Sequence, residues 1–311
     1  MKLTFSISEI IPYINWVYFY HAWGISARPE ADKQKLRDEA EAALSDCQER
    51  YQAYALFRLF DAYSDGDDIV VSGKRKEESG KRIPLLRQQQ AGSEFLCLAD
   101  YISPLTSDLI PADAPIPAIA PTRSLSRSLS PLTSRIGVFV TSVSHGLETD
   151  FDADPYQKMM MQLLADRLAE AAAERMHELV RKDYWGYAPE EDLTVVEMHQ
   201  ERFLGIRPAV GYPSLPDASL NFVIDSLLDF SQIGVRLTEH GAMKPHASVS
   251  GLMMAHPQAH YFSIGKIGED QLHDYAARRG LPVETLRKFL STLLAPRSSL
   301  TAHRSPLTAN R

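Results

Sequence analysis

Residues 54–71 read YALFRLFDAYSDGDDIVV. Two apolar runs, Tyr54 to Ala62 and Asp68 to Val71, flank Ser64-Asp65-Gly66-Asp67, and Gly and Asp tolerate the positive φ of a tight hairpin turn. An antiparallel hairpin here argues against a chain in which strands and crossover helices strictly alternate. Upstream, Ala31 to Tyr51 carries Leu36, Ala40 and Leu44 at helical spacing among charges, which predicts a surface helix. Still earlier, Ile10 to Ile25 is apolar and rich in Tyr and Trp, but it contains Pro12, Asn15 and His21. It falls short of the roughly 20 apolar residues that span a bilayer and has no small-residue cleavage site. It therefore reads as a segment packed on the core or lining a pocket.

Downstream, Ser72 to Arg82 is rich in Lys, Arg and Glu and reads as a loop, and Glu94 to Tyr101 and Ile136 to Ser142 read as strands. Between those strands, Ile110 to Arg135 holds five prolines (Pro111, Pro115, Pro117, Pro121, Pro131) and the run Ser124-Leu125-Ser126-Arg127-Ser128-Leu129-Ser130. Such composition sustains neither ladder nor helix, so a mobile insertion is expected over about 110–135. Pro155 to Asp183 is the longest periodic stretch. Leu164, Leu168, Ala172, Met176 and Leu179 form its core stripe, while Asp166, Glu170, Glu174 and His177 share the other face. Taken alone, that acidic face reads as solvated. Further helices are expected over Glu190 to Phe203, Ser219 to Phe230, Glu269 to Arg279 and Val283 to Leu294. A hairpin is expected from Ala247 to Ala255 and His260 to Ile267 around His256-Pro257, and a disordered tail over 295–311. Helices clustered around hairpin-linked strands indicate an α+β fold, with no internal repeat.

Composition excludes several functions. The chain has 311 residues, 44% hydrophobic and 23% charged, with a formal net charge of −7. The negative balance gives no general attraction for nucleic acid or anionic lipid, so neither is expected as a partner. Two cysteines, Cys47 and Cys97, make no framework or Cys-x-x-Cys pair, which suits a reducing cytoplasm. There is no G-x-G-x-x-G after a strand, no phosphate-binding Walker loop, no G-x-S-x-G elbow and no H-E-x-x-H. His256 and His260 stand four apart, but Pro257 between them blocks a helix that would align the rings, so no metal site is expected. The Met159-Met160-Met161 run reads as helix packing.

The block Gly205-Ile206-Arg207-Pro208-Ala209-Val210-Gly211-Tyr212-Pro213-Ser214-Leu215-Pro216-Asp217 is the most unusual composition in the chain. Three prolines and two glycines make a backbone irregular yet stiff, whose amides and carbonyls are free for a ligand instead of a sheet or helix. Arg207 suits a carboxylate, and Tyr212 offers a stacking face and a hydroxyl. A purely structural loop is the alternative.

This block resembles one in the carboxyl-terminal activation domain of cobalamin-dependent methionine synthase. The likeness extends to Asp166-Arg167-Leu168-Ala169-Glu170-Ala171, Tyr184-Trp185-Gly186-Tyr187-Ala188-Pro189, Ala247-Ser248-Val249-Ser250-Gly251 with His256-Pro257, and Asp274-Tyr275-Ala276 before Arg278-Arg279-Gly280. Weaker echoes are Leu86-Arg87-Gln88-Gln89 and Cys97-Leu98-Ala99-Asp100. The resemblance implies a C-shaped, helmet-like α+β domain over 1–294, with a central twisted antiparallel sheet, flanking helices and S-adenosylmethionine in a shallow groove. It implies ligand contacts from a block that includes Arg207 and Pro208, with Arg207 near the methionine carboxylate and the Ala209 to Tyr212 backbone, Gly211 included, near the adenosine. Tyr261 and Phe262 follow from the aromatic pair after His-Pro, though many relatives have a hydroxyl where Phe262 has none. Glu170 and Glu201 fall at acidic family positions near the amino-acid end of the ligand. Asn15 stands where the family has an Asp, keeping a carbonyl acceptor but losing the charge.

By the same resemblance, the activity is reductive methylation of a cobalt that has oxidised to inactive Co(II). S-adenosylmethionine is the methyl donor, cobalamin is carried by a truncated methionine synthase, and a flavodoxin-like or other donor supplies the electron. The nucleophile is the reduced cobalt, so no catalytic side chain is expected, and the protein contributes position. Because the chain starts with this region, a stand-alone cytoplasmic protein acting in trans is the expectation. The alternative is a non-catalytic S-adenosylmethionine-binding scaffold for a cobalamin enzyme; an unrelated small-molecule enzyme on the same fold is a third.

Overall fold

A computed structural model describes residues 1–72, 80–89, 95–104 and 133–295. The chain opens with β1 (Lys2–Ser6), α1 (Ile7–Ile10), α2 (Trp16–Trp23) and α3 (Glu30–Cys47), followed by β2 (Gln52–Asp65), β3 (Asp68–Val71), β4 (Lys81–Pro84) and β5 (Arg135–Val143). Next come α4 (Gly146–Thr149), α5 (Pro155–Leu179), α6 (Val195–His199) and α7 (Leu220–Leu228). A short ribbon of β6 (Arg236–Leu237) and β7 (Met243–Lys244), then β8 (Ser248–Met253), α8 (Glu269–Arg279) and α9 (Val283–Phe289) complete it.

The hairpin read from residues 54–71 forms, with Asp65 opposite Asp68 and Gly66 taking the left-handed backbone (φ +61) of its two-residue turn. The six-stranded antiparallel sheet runs β4-β3-β2-β5-β8, with β1 also on β2. This is the α+β class expected. Strand β5 is buried along nearly its whole length because both faces are covered. Ile136, Val138 and Val140 enter a core with Leu220, Ile224 and Phe230, whereas Phe139 and Val143 enter a second core with Phe19, Leu164, Leu168 and Met176. Helix α5 spans the second core. Pro155 opens it, Asp154 caps it by accepting from the Tyr156 N–H (2.9 Å), and the Thr141 hydroxyl of β5 donates to the Ala169 carbonyl (2.9 Å). The aromatic N-terminal segment packs here too, with Phe19 fully buried. No helix among the described residues is long and apolar enough to cross a membrane.

Several expected boundaries differ. Strand β1 went unforeseen. Of the loop expected over Ser72 to Arg82, residues 73–79 lie outside the described residues, and Lys81 and Arg82 open the edge strand β4, where they are exposed and Ile83 is buried. The expected strand over 94–101 is instead a 3₁₀ turn at Leu98–Tyr101, because the Asp100 carboxylate accepts from the Cys97 N–H (2.9 Å) and closes the chain on itself. The helix expected to Phe203 is only α6, capped by Thr194 and Glu197 and ended by the left-handed Glu201 (φ 58). The last helix stops at Phe289. His260–Ile267 makes no hairpin with β8, because its amides go elsewhere: Phe262 N–H to the Ser214 hydroxyl (3.1 Å) and Ile264 N–H to the Pro213 carbonyl (2.9 Å). Of the expected insertion, 110–132 lie outside the described residues, while Arg135 begins β5; of the expected tail, 296–311 lie outside them.

Candidate functional site

The unusual block does form a ladder, contrary to the expectation that its backbone is free. Ile206 exchanges two hydrogen bonds with Met254 (2.9 Å each), Val210 N–H donates to Ser250 (2.9 Å), and Leu252 N–H donates to the Pro208 carbonyl (3.0 Å). Residues 206–210 thus lie along the free edge of β8. The approach is close enough that a Cβ on Gly251 would stand 2.2 Å from the Pro208 oxygen, and one on Gly205 2.1 Å from the Met254 oxygen. Ladder geometry turns alternate residues outward. Arg207 N–H donates to the Tyr261 hydroxyl (2.9 Å), and the Ala209 N–H has no protein acceptor among the described residues.

Outward from this edge opens a groove of about 740 Å³. Asn15 and Tyr18 line it from the α2 side, Arg167, Glu170 and Glu174 from α5, and Met198 and His199 from α6, followed by Glu201 and Phe203. Arg207, Pro208, Ala209 and Tyr212 line it from the block, and Tyr261 and Phe262 from the segment after His256-Pro257. Of the expected site residues, Asn15, Glu170, Glu201, Arg207, Pro208, Ala209, Tyr212, Tyr261 and Phe262 meet here. Gly211 does not line the groove. It turns the chain with φ +91, and its N–H closes on the Leu215 carbonyl (2.8 Å).

Two sets of charged groups line the groove. The Arg207 guanidinium donates to the Ala173 carbonyl (2.7 Å) and pairs with one oxygen of Glu174. Burial is the strongest influence and opposes its charge, but Glu174, Tyr261 and Glu170 together outweigh it and hold the Arg207 pKa above the usual value. The other oxygen of Glu174, Oε2, is buried without a hydrogen-bond partner. Burial, and then the neighbouring Glu174 charge, push the Glu201 carboxyl above the usual carboxylate value, with Arg207 opposing. At the mouth, the Tyr212 hydroxyl donates to Glu170 (3.1 Å), which also accepts from Arg167 (2.8 Å). Burial and the Glu170 charge push Tyr212 to about 12. Asn15 caps α2, its carbonyl oxygen accepting from the Val17 N–H (3.2 Å).

Behind the groove, a π-turn over Val180–Tyr184 ends α5 and aims Arg181 into the interior. Arg181 is fully buried, forks onto Glu191 and lies 4.5 Å over Phe203. His177 packs edge-on against Phe203 at 4.9 Å; burial and the charges of Arg181 and Arg207 push its pKa well below the usual value. It stands there as a neutral support.

Residues 6–280 match the family described as vitamin B12 dependent methionine synthase, activation domain. The chain belongs to that family. It is also similar to the crystal structure of the MetH reactivation domain bound to AdoHcy, at 32% sequence identity and a TM-score of 0.81, over 95% of this chain and 90% of that one. Family membership separates the motif blocks by place. Residues 207–209 and 212–214 of the Arg207 block, and Arg167 and Glu170 of the Asp166–Ala171 block, line the groove, whereas Asp217, at the end of the former, turns into the core and accepts from Tyr275 (2.8 Å) and Ser219. Groove residues missed from sequence include Tyr18, Glu174 and Phe203. Glu174 carried a signal, one helical turn past Glu170 on the same face; Phe203 carried none, because its packing comes from Arg181 and His177, distant in sequence.

Proposed function

We propose that this activation-domain protein binds S-adenosylmethionine in the groove and supports reductive methylation of cobalamin held by a methionine synthase polypeptide. The carrying observation is that a stiff edge, with an outward Ala209 N–H without acceptor, runs into a pocket end bearing Arg207, Glu174 and Glu201. An adenosine requires backbone-type donors and apolar walls, here supplied by Ala209, Pro208, Phe203 and Phe262; an amino acid requires paired charges of both signs. Gly211 serves the same edge by shaping its turn. The related MetH structure, bound to AdoHcy, supports the choice of ligand class.

The chemistry is positional. One electron from a donor of the flavodoxin-like class would take the partner's Co(II) to Co(I), which would accept the methyl group from the sulfonium and release S-adenosylhomocysteine; this transfer moves no proton, so a triad or metal cluster has no part to play. The chain holds the sulfonium, fixes its direction and excludes water, which turns an encounter into a near-attack geometry. The 311 residues contain no Asp-x-His-x-x-Gly, which fits cobalamin held outside this domain.

Two measurements test this. Titration calorimetry should detect S-adenosylmethionine and S-adenosylhomocysteine without added metal; no heat with either ligand rejects the reading. Addition of the protein to a truncated methionine synthase in its Co(II) form, with reductant and S-adenosylmethionine, should restore the methylcobalamin spectrum. Equal recovery without the protein leaves only a binding role.

A further inference from the structure

After β8 the chain leaves the sheet edge at Ala255 and must turn back to reach the groove, where Tyr261 and Phe262 form part of the wall. The turn is made at His256-Pro257-Gln258-Ala259. The Ala259 N–H donates to the His256 carbonyl (3.0 Å), and Pro257 takes the second position, where its restricted φ suits a tight turn. The first position of such turns favours Asp, Asn or Ser, whose short side chain accepts from the N–H two residues on. His256 does the same with its ring: Nδ1 accepts from the Gln258 N–H (3.1 Å). An accepting Nδ1 belongs to a neutral imidazole with its proton on Nε2. Burial lowers the His256 pKa, which keeps the ring in that form at neutral pH. The ring lies 5.7 Å from that of Tyr101, whose hydroxyl donates to the His260 carbonyl (3.3 Å) and so ties the far side of the turn to the near side.

Both ends of this stretch are anchored. Upstream, Met254 pairs with Ile206; downstream, Phe262 N–H donates to the Ser214 hydroxyl (3.1 Å) and Ile264 N–H to the Pro213 carbonyl (2.9 Å). Between the anchors, the turn sets the direction from which Tyr261 and Phe262 enter the wall. His256 itself does not line the groove. Given the proposed S-adenosyl ligand, on which this step rests, we infer that His256 is a positioning residue: its Nδ1 fixes the turn that seats Tyr261 and Phe262, and it raises ligand affinity without touching the ligand. What the position requires is an acceptor beside Cγ. Asn meets that requirement, because its Oδ1 stands one bond from Cγ as Nδ1 does, whereas Leu has the same shape and no acceptor.

The experiment compares wild type, His256→Leu and His256→Asn in two measurements: calorimetry with S-adenosylhomocysteine, and backbone amide resonances of the ligand-free proteins. Loss of one neutral hydrogen bond should weaken the ligand by about 3- to 10-fold in His256→Leu. His256→Asn should return the affinity to within about two-fold of wild type. The Tyr261 and Phe262 amides should move in the Leu variant and stay near their wild-type positions in the Asn variant. Equal losses in the two variants mean that the ring acts by packing on Tyr101 and overturn the inference. Unchanged affinity in His256→Leu overturns it too, as does a loss with the Tyr261 and Phe262 amides unmoved. A wild-type protein that binds no S-adenosylhomocysteine rejects the ligand reading itself, and the amide resonances then still decide whether His256 sets the turn.

Discussion

Two regions carry family motifs of similar kind, and their charges are used in opposite ways. Around Asp67, Asp68, Arg87 and Arg278, the ionic groups find protein partners. Arg87 reaches Asp67 (2.7 Å) and both oxygens of Asp100 (2.8 Å each), while Asp68, 2% exposed, takes Arg82 on one oxygen (3.0 Å) and Arg278 on the other (2.5 Å). Around Arg207, by contrast, Glu174 keeps an unpartnered oxygen, the Glu201 side chain has no ion pair among the described residues, and the Ala209 N–H is open. Motif likeness alone does not distinguish scaffold from site. Unmet hydrogen-bonding capacity is one part of the difference: the groove edge leaves the Ala209 N–H and one Glu174 oxygen open, although buried atoms outside the groove, such as Arg181 Nη1 and Arg279 Nη1, lack a partner too.

The contrast breaks most visibly at Asp68. Asp68→Ala leaves Arg278 and Arg82, among the described residues, with only Asp274, Asp65 and the Leu85 carbonyl, and loss of charge-assisted hydrogen bonds to a buried carboxylate costs about 1.5–3 kcal/mol. Urea unfolding should register that loss, whereas the affinity of the folded fraction for S-adenosylhomocysteine should stay at the wild-type value. A matching loss of affinity would mean that this network belongs to the site. Arg207→Ala also breaks a mostly buried ion pair, with Glu174, and lowers stability, but it should in addition weaken ligand binding. Ligand affinity should fall by about 1.5–3 kcal/mol, the range for a hydrogen bond to a charged group, in a protein with unchanged far-UV and near-UV dichroism. Unchanged affinity in that folded variant would remove Arg207 from the site.

How far the sequence discloses each region follows from the range of the forces. The hairpin at 65–68 and helix α5 are local, set by turn chemistry and by a 3.6-residue stripe, and both form as read. The edge ladder of 206–210 was hidden because Pro208 suggests an irregular loop. Pro208 offers only its carbonyl, and that is the group Leu252 requires. The extended 260–267 segment was misread for the converse reason. Its alternating apolar residues suit a strand, but Ser214 and Pro213 reach its amides before any neighbouring strand does. Groove membership was legible for Arg207, Tyr212 and Glu170 through the family motifs. It was not legible for Phe203, which is placed by Arg181 from a π-turn that no periodicity announces.

A smaller effect sharpens the electrostatic side of the contrast. The folded-state pKa of Glu201 is raised from 4.5 by burial and by Glu174. Its protonation therefore favours the folded state at low pH, and that contribution is lost as pH rises through the raised value. A cationic ligand has the opposite preference, because it gains from the ionised carboxylate. S-adenosylmethionine binding should tighten a few-fold as pH rises from the ordinary carboxylate value towards neutrality, as expected for a partly exposed charge pair. Glu201→Gln should flatten that slope. A slope that survives the substitution would place the titrating group elsewhere in the groove.

The smallest expected change is at Asn15, where the same side chain serves both regions' logic at once. Its carbonyl oxygen is already occupied in capping α2, accepting from the Val17 N–H, while the residue lines the groove. Asn15→Asp keeps that acceptor and adds a negative charge at a helix N-terminus, which stabilises the helix by about 0.3–1 kcal/mol at low salt. The added charge also faces a groove proposed to take a sulfonium. S-adenosylmethionine should thus bind as tightly or slightly more tightly, and the neutral thioether S-adenosylhomocysteine should gain less. The gain should shrink as salt rises, because an exposed charge is screened over about 10 Å at 0.1 M ionic strength. Calorimetry of both ligands at two salt concentrations reads the effect directly. If Asn15→Asp loosens S-adenosylmethionine, the amide is itself a donor to the ligand, and the cap has been rebuilt around an uncharged contact that a carboxylate cannot reproduce.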